Sequence, residues 1–176
     1  MELYLPNRYD TTPFPLIFLG GPIEGAPRWQ NPAWNFLSKE TRPANVASPR
    51  YIGEDEQQAG NWTPNITGEQ QIDWEIYHMN KAGFGLTESG KGAVLFWLAR
   101  EKTHNCARAY AQTSRIEVGE WVQKHIFTGC NVVIGIEDGF SGEGYIRYRV
   151  SRECPKIPIE SDLEKACERA LELIFS

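Results

Sequence analysis

Short solid apolar runs alternate along this chain with longer stretches in which apolar residues recur every three or four positions. Leu16-Ile17-Phe18-Leu19 is the first solid run, ended by Gly20-Gly21-Pro22, as in a strand buried on both faces. Ala93 to Leu98 is the strongest such run, Asn131 to Ile136 is another, and Asn45 to Ser48, closed by Pro49, is weaker. The first helical stretch has Asn31 as N-cap and Pro32 at its first position, with Trp34 and Leu37 three apart. A second opens at Thr67 or Gly68 and runs to about Lys81, with Ile72, Ile76 and Met79 on one stripe; Gly83, Gly85 and Gly90 break it. A third covers about Thr113 to Lys124, and Ser161-Asp162-Leu163-Glu164 reads as the capping box of a C-terminal helix. Pro6, Pro13 and Pro15 predict an irregular arm over residues 1–15, and the stretch from Ile52 to Asn65, with Gly53, Gly60 and Pro64, predicts a polar loop.

Solid strands separated by helices of ten or more residues predict one α/β domain over 1–176, a doubly wound parallel sheet with helices on both faces. In such folds the ligand sits outside the carboxyl ends of the strands. The candidate site is therefore built from loops beginning near Gly20, Pro49, Leu98 and Ile136.

Composition narrows the partner. The 18 Lys and Arg against 23 Asp and Glu leave a formal charge of −5 with no long charged block, which argues against a nucleic acid polymer, held chiefly by cations on its phosphates. No apolar run is long enough for a membrane span or a signal-peptide core, so a cytoplasmic protein is expected. The four cysteines, Cys106, Cys130, Cys154 and Cys167, are widely spaced and without a histidine ladder, so no metal is expected. The three histidines show no metal spacing either.

The chemistry-bearing signals are modest. Gly85 to Lys91 matches most of a phosphate-binding loop, but Gly92 occupies the place of the magnesium-binding hydroxyl residue and the segment precedes a strand. A phosphate loop must follow a strand and open a helix, so the segment reads as a plain glycine turn. Gly20 and Gly21 allow backbone to approach a ligand closely. Glu117 and Glu120 lie three apart on a helix, and Gly119 costs about 1 kcal/mol against alanine in a helix interior, which suits a close approach, although the segment taken alone reads as a solvated helical face with Glu117 or Glu120 paired to a lysine or arginine. Asp73 and Glu75, two apart, point in different directions around their helix, so at most one faces a site.

In order, Ile17-Phe18-Leu19-Gly20-Gly21-Pro22-Ile23, Ile72-Asp73-Trp74-Glu75, Val94-Leu95-Phe96-Trp97 and Arg115-Ile116-Glu117-Val118-Gly119-Glu120 resemble the nucleoside 2-deoxyribosyltransferases and their N-glycosidase relatives, across residues 16–137. The resemblance implies a flavodoxin-like α/β fold with about five strands, no cofactor, and a homo-oligomer in which a neighbour helps to close each site. It implies a nucleoside and a free nucleobase as partners. Glu117 matches the family's nucleophilic glutamate, Gly20 and Gly21 its first glycine loop, and Asp73 or Glu75 its base-handling acid. Phe18 stands where typical members carry a tyrosine, and Ala111 where they carry an aspartate. Phe18, Gly20, Gly21, Pro22, Pro49, Arg50, Arg115 and Gly119 are the expected substrate contacts.

The expected activity is exchange of the base of a 2′-deoxyribonucleoside through a glycosyl ester on Glu117. Two alternatives remain open. One is hydrolysis of a nucleoside 5′-monophosphate, with Ser48, Arg50, Ser114 and Arg115 able to form a phosphate pocket. The other is a non-catalytic nucleotide sensor, because fold alone does not decide function.

Overall fold

The computed structural model describes residues 1–53, 66–86 and 90–176. Most of the expected polar loop, including Gly60 and Pro64, and the middle of the glycine-rich turn lie outside the described residues.

The strands are β1 (Glu2–Tyr4), β2 (Leu16–Gly20), β3 (Asn45–Ala47), β4 (Ala93–Leu98), β5 (Val132–Ile136) and β6 (Ile159–Glu160). The helices are α1 (Gln30–Leu37), α2 (Gly68–Phe84), α3 (Gln112–Thr128), α4 (Glu143–Glu153) and α5 (Leu163–Phe175). All strands pair in parallel in the order β1-β3-β2-β4-β5-β6. The fold is thus a flavodoxin-like α/β sheet.

Alternation along each strand builds two cores. Leu16, Phe18, Val94, Phe96, Leu98, Val132 and Ile134 face Trp74 and Met79 of α2, Val118, Trp121 and Val122 of α3, and Val150 of α4. Ile17, Leu19, Ala93, Leu95, Trp97 and Val133 face Ala33 and Leu37 of α1 and Ala166, Cys167 and Ala170 of α5. Both faces are covered, so polar alternation is absent and the strands read as solid apolar runs.

Several expectations are corrected. Among the described residues the sheet has six strands, because Glu2–Tyr4 of the supposed irregular arm pairs with β3, while the two residues of β6 make the other edge. Helix α1 begins at Gln30 after Trp29, so Asn31 is not its N-cap. Helix α2 does open with the capping box Thr67–Gln70 and continues through Gly83 to stop before Gly85, whose φ of 71° suits glycine. Gly83 stays helical because it packs under Trp121: an added Cβ would lie 2.4 Å from Trp121 Cζ3. The N-cap of α5 is Asp162, whose side chain accepts from the Lys165 amide, so Ser161 is not the cap.

Candidate active site

The chain passes from β2 to β3 on one side and returns past β2 to β4 on the other. Connections diverging from a central strand leave a crevice at the carboxyl ends, and a cavity of about 720 Å³ opens there. Its floor is Phe18, Gly20, Gly21 and Pro22 from the end of β2, with Pro49, Arg50 and Tyr51 following β3. Its walls are α2 and α3, together with Arg108, Ala109 and Ala111 leading into α3. No residue beyond Ile136 lines it, so the expected contribution of the loop after β5 is corrected. The volume is that of a pocket for a small organic ligand.

The glycines act as expected at the floor. Gly21 has φ 142°, and a Cβ there would stand 2.3 Å from the Trp97 carbonyl oxygen, so only glycine fits this turn. A Cβ at Gly20 would meet Phe96 at 2.8 Å. The turn is braced by the Trp29 indole, which donates to the Pro22 carbonyl at 2.9 Å.

Each wall helix contributes a carboxylate. Glu75 faces the cavity from α2 and Glu117 from α3. Burial, reinforced by the charges of Glu75 and Glu120, pushes the Glu117 carboxyl up to about 7. Burial also raises Glu75, partly offset by the Gln71 amide, which donates to its carboxylate at 2.8 Å. The charge of Glu75 disfavours ionisation of Glu117, and two carboxyls of raised proton affinity lining one cavity can supply an acid and a base. Ion pairs stand at the rim: Glu120 with Lys124 at 2.6 Å, and Glu24 with Arg108.

Three expected site residues lie elsewhere. Asp73 is exposed on α2 and does not line the cavity. Arg115 turns toward the segment before α4, where its guanidinium donates to the Ser141 carbonyl at 2.8 Å and lies 4.5 Å from the centre of the Phe140 ring. Gly119 is exposed and nothing approaches within 4 Å of where its Cβ would be, so the close approach expected there is absent. Ser48 is buried and donates to the Arg50 carbonyl at 2.7 Å, outside the cavity, whereas Ser114 lines it.

The α2 stripe expected to seek the core also behaves differently. Ile72 and Ile76 are 53% and 52% exposed and line the cavity, as does Ile116 of α3 at 65%. The core contacts of α2 come from Trp74, Met79 and Ala82. Gln71 was missed, although its position four before Glu75 puts it on the same helical face. No group of acids, cysteines and histidines able to hold a metal occurs among the described residues.

No protein-family model matches the chain, and no curated protein matches it. No described helix is long and apolar enough to cross a membrane.

Proposed function

We propose that the protein is a nucleoside 2-deoxyribosyltransferase that works through a covalent glycosyl ester on Glu117. The observation that carries this reading is the convergence of Glu75 and Glu117, from facing helices, on one cavity floored by the Gly20–Gly21 turn. Burial raises the proton affinity of both carboxyls, so the pair can hold one proton near neutral pH, and glycoside chemistry needs one ionised and one protonated carboxyl.

In the first half-reaction a Glu117 oxygen attacks C1′ of the sugar as the C1′–N bond breaks. The bonding pair leaves with the base, and the proton held by Glu75 moves to the base, so that it departs neutral. In the second, Glu75 takes a proton from an incoming base whose nitrogen attacks C1′, and the ester bond breaks to restore the Glu117 carboxylate. Two inversions give retention. Glu117 also faces the positive charge that builds on C1′ and O4′ in each transition state. The apolar rim of Ile72, Ile76 and Ile116 supports a neighbouring subunit covering the mouth.

The test is chromatographic base exchange with deoxyinosine or thymidine as donor and adenine as acceptor. Deoxyadenosine should form with the unaltered protein and not with Glu117→Ala, whose circular dichroism should remain that of the folded protein. Exchange by Glu117→Ala at the unaltered rate excludes Glu117 as nucleophile.

Arg50 favours a second reading, cleavage of a nucleoside 5′-monophosphate. It lines the cavity, its guanidinium donates only to the Ile23 and Pro27 carbonyls among the described residues, and burial beside Arg28 lowers its pKa. An anionic substrate group would pair with that guanidinium. Release of deoxyribose 5-phosphate without an acceptor base, with KM raised by Arg50→Ala for the monophosphate alone, would select this reading.

A further inference from the structure

Between β1 and β2 the chain lays residues 8–12 along α2 and ties itself there repeatedly. The Trp74 indole donates to the Arg8 carbonyl at 2.9 Å and the Tyr77 hydroxyl to the Asp10 carbonyl at 3.0 Å. The Asp10 amide donates to His78 Nε2 at 3.1 Å, and Lys81 Nζ donates to the Thr12 carbonyl at 2.8 Å. Lys81 Nζ also meets Asp10 Oδ2 at 2.6 Å, with the two side chains 1% and 0% exposed. The other Asp10 oxygen accepts from the Thr12 amide and hydroxyl, and Asn45 donates to Oδ2 at 3.0 Å.

The protonation states follow from these partners. A backbone amide can only donate, so His78 Nε2 accepts and Nδ1 carries the proton, donated to the Trp74 carbonyl at 2.8 Å. Burial accordingly drops the imidazole to about 4. Burial alone would raise Asp10, but the hydrogen bonds from Lys81, Asn45 and Thr12 outweigh it and hold the carboxyl low.

A buried ion pair gives little net stability, because desolvation offsets its attraction, but it does demand one geometry. Helix α2 needs such a constraint. Its isoleucine stripe faces the open cavity, so apolar packing holds it on one side only. Trp74, Tyr77, His78 and Lys81 recur at three and four positions and form one face, gripped by the arm, while Gln71 and Glu75 lie on the adjoining face toward the cavity.

We propose that Asp10, His78 and Lys81 are positioning residues: the arm fixes the rotation of α2 about its axis and thereby holds Glu75 against Glu117. This rests on the reading of Glu75 and Glu117 as the working pair. The other charged or titratable groups around the cavity are the Glu24–Arg108 and Glu120–Lys124 pairs, Arg50 and Tyr51, none of which is hydrogen-bonded or ion-paired to the arm among the described residues.

The experiment titrates Glu117 in the substrate-free protein by NMR with carbon-13-labelled glutamate carboxyls, its resonance assigned from Glu117→Gln. In the double variant Asp10→Asn, Lys81→Gln the midpoint should fall from about 7 by about half a unit or more, as the charge of Glu75 withdraws from Glu117. In a Glu75→Gln background the same pair of changes should produce no further fall. An unchanged midpoint in a folded variant, or an equal fall with and without Glu75, overturns the proposal. Tyr77→Phe removes one hydroxyl tie from a half-buried ring and decides the matter if the double variant does not fold, with a smaller fall in the same direction expected. The titration needs no substrate, so a failed base-exchange assay leaves it standing, and an unchanged titration overturns the positioning role alone.

Discussion

Replacing Glu117 with glutamine should make the protein more stable at pH 8 even as it removes the nucleophile. The folded protein holds the Glu117 proton up to about 7, whereas the ordinary value is 4.5. Between those two values the folded state binds more proton than the unfolded chain, so stability falls as pH rises through this window and then levels off. Each tenfold change in proton affinity is worth about 1.4 kcal/mol, which sets a ceiling of about 3 kcal/mol on the cost of ionising Glu117. The cavity opens to water, and screening there reduces the expected gain for Glu117→Gln to about 1–2 kcal/mol at pH 8. Near pH 4.5 the native carboxyl is already neutral, and the advantage of the amide should vanish. Urea unfolding of both proteins at the two pH values measures this directly, with a midpoint difference of about 0.5–1 M at pH 8 for a slope of about 2 kcal/mol/M. A difference in stability that stays constant across the window would refute the buried, like-charged setting assigned to Glu117.

Glu75→Gln should lower base exchange by about a hundredfold, as expected for loss of a general acid, while Asp73→Asn, on the exposed face, should leave the rate within about twofold; parallel rate assays check both. Gly21→Ala forces a Cβ against the Trp97 carbonyl at a positive φ and should cost about 2 kcal/mol or more in thermal unfolding. Arg115→Ala should lower the melting temperature by removing the tie to Ser141 and the packing on Phe140, with KM for the nucleoside unchanged.

The central strands were legible because burial on both faces leaves a solid apolar run that nothing else in the chain imitates. Edge elements carry no such mark. In β1, Glu2 is exposed and only Tyr4 is buried, so three residues beside prolines read as an arm; in β6 both residues are half-buried. Helix α4 escaped for a related reason: Val150 is its one buried residue, and a helix that buries one side chain has no stripe to find. The stripe on α2 was real, yet an apolar periodicity says only that residues share a face. Whether that face meets a core or an open cavity depends on what the sheet leaves uncovered.

The site residues separate by one geometrical rule. Positions two apart on a helix diverge by about 200°, which allows only one of Asp73 and Glu75 to reach the cavity, and the buried Trp74 together with the arm selects Glu75. The same rule applied around Glu117 turns away both Arg115, two before it, and Gly119, two after it, and neither of these expected contacts lines the cavity. Residues three or four away keep the face of a given side chain: Glu120 from Glu117, Gln71 and Met79 from Glu75, all of which line the cavity. The resemblance picked out a contiguous segment around Glu117, but a helix presents a face to its ligand, so neighbours in sequence were weaker guides than neighbours one turn away. Pairing Glu75 with Glu117 needed one step more. It depends on α2 and α3 flanking the same crevice, and that follows from strand order, which local periodicity does not encode.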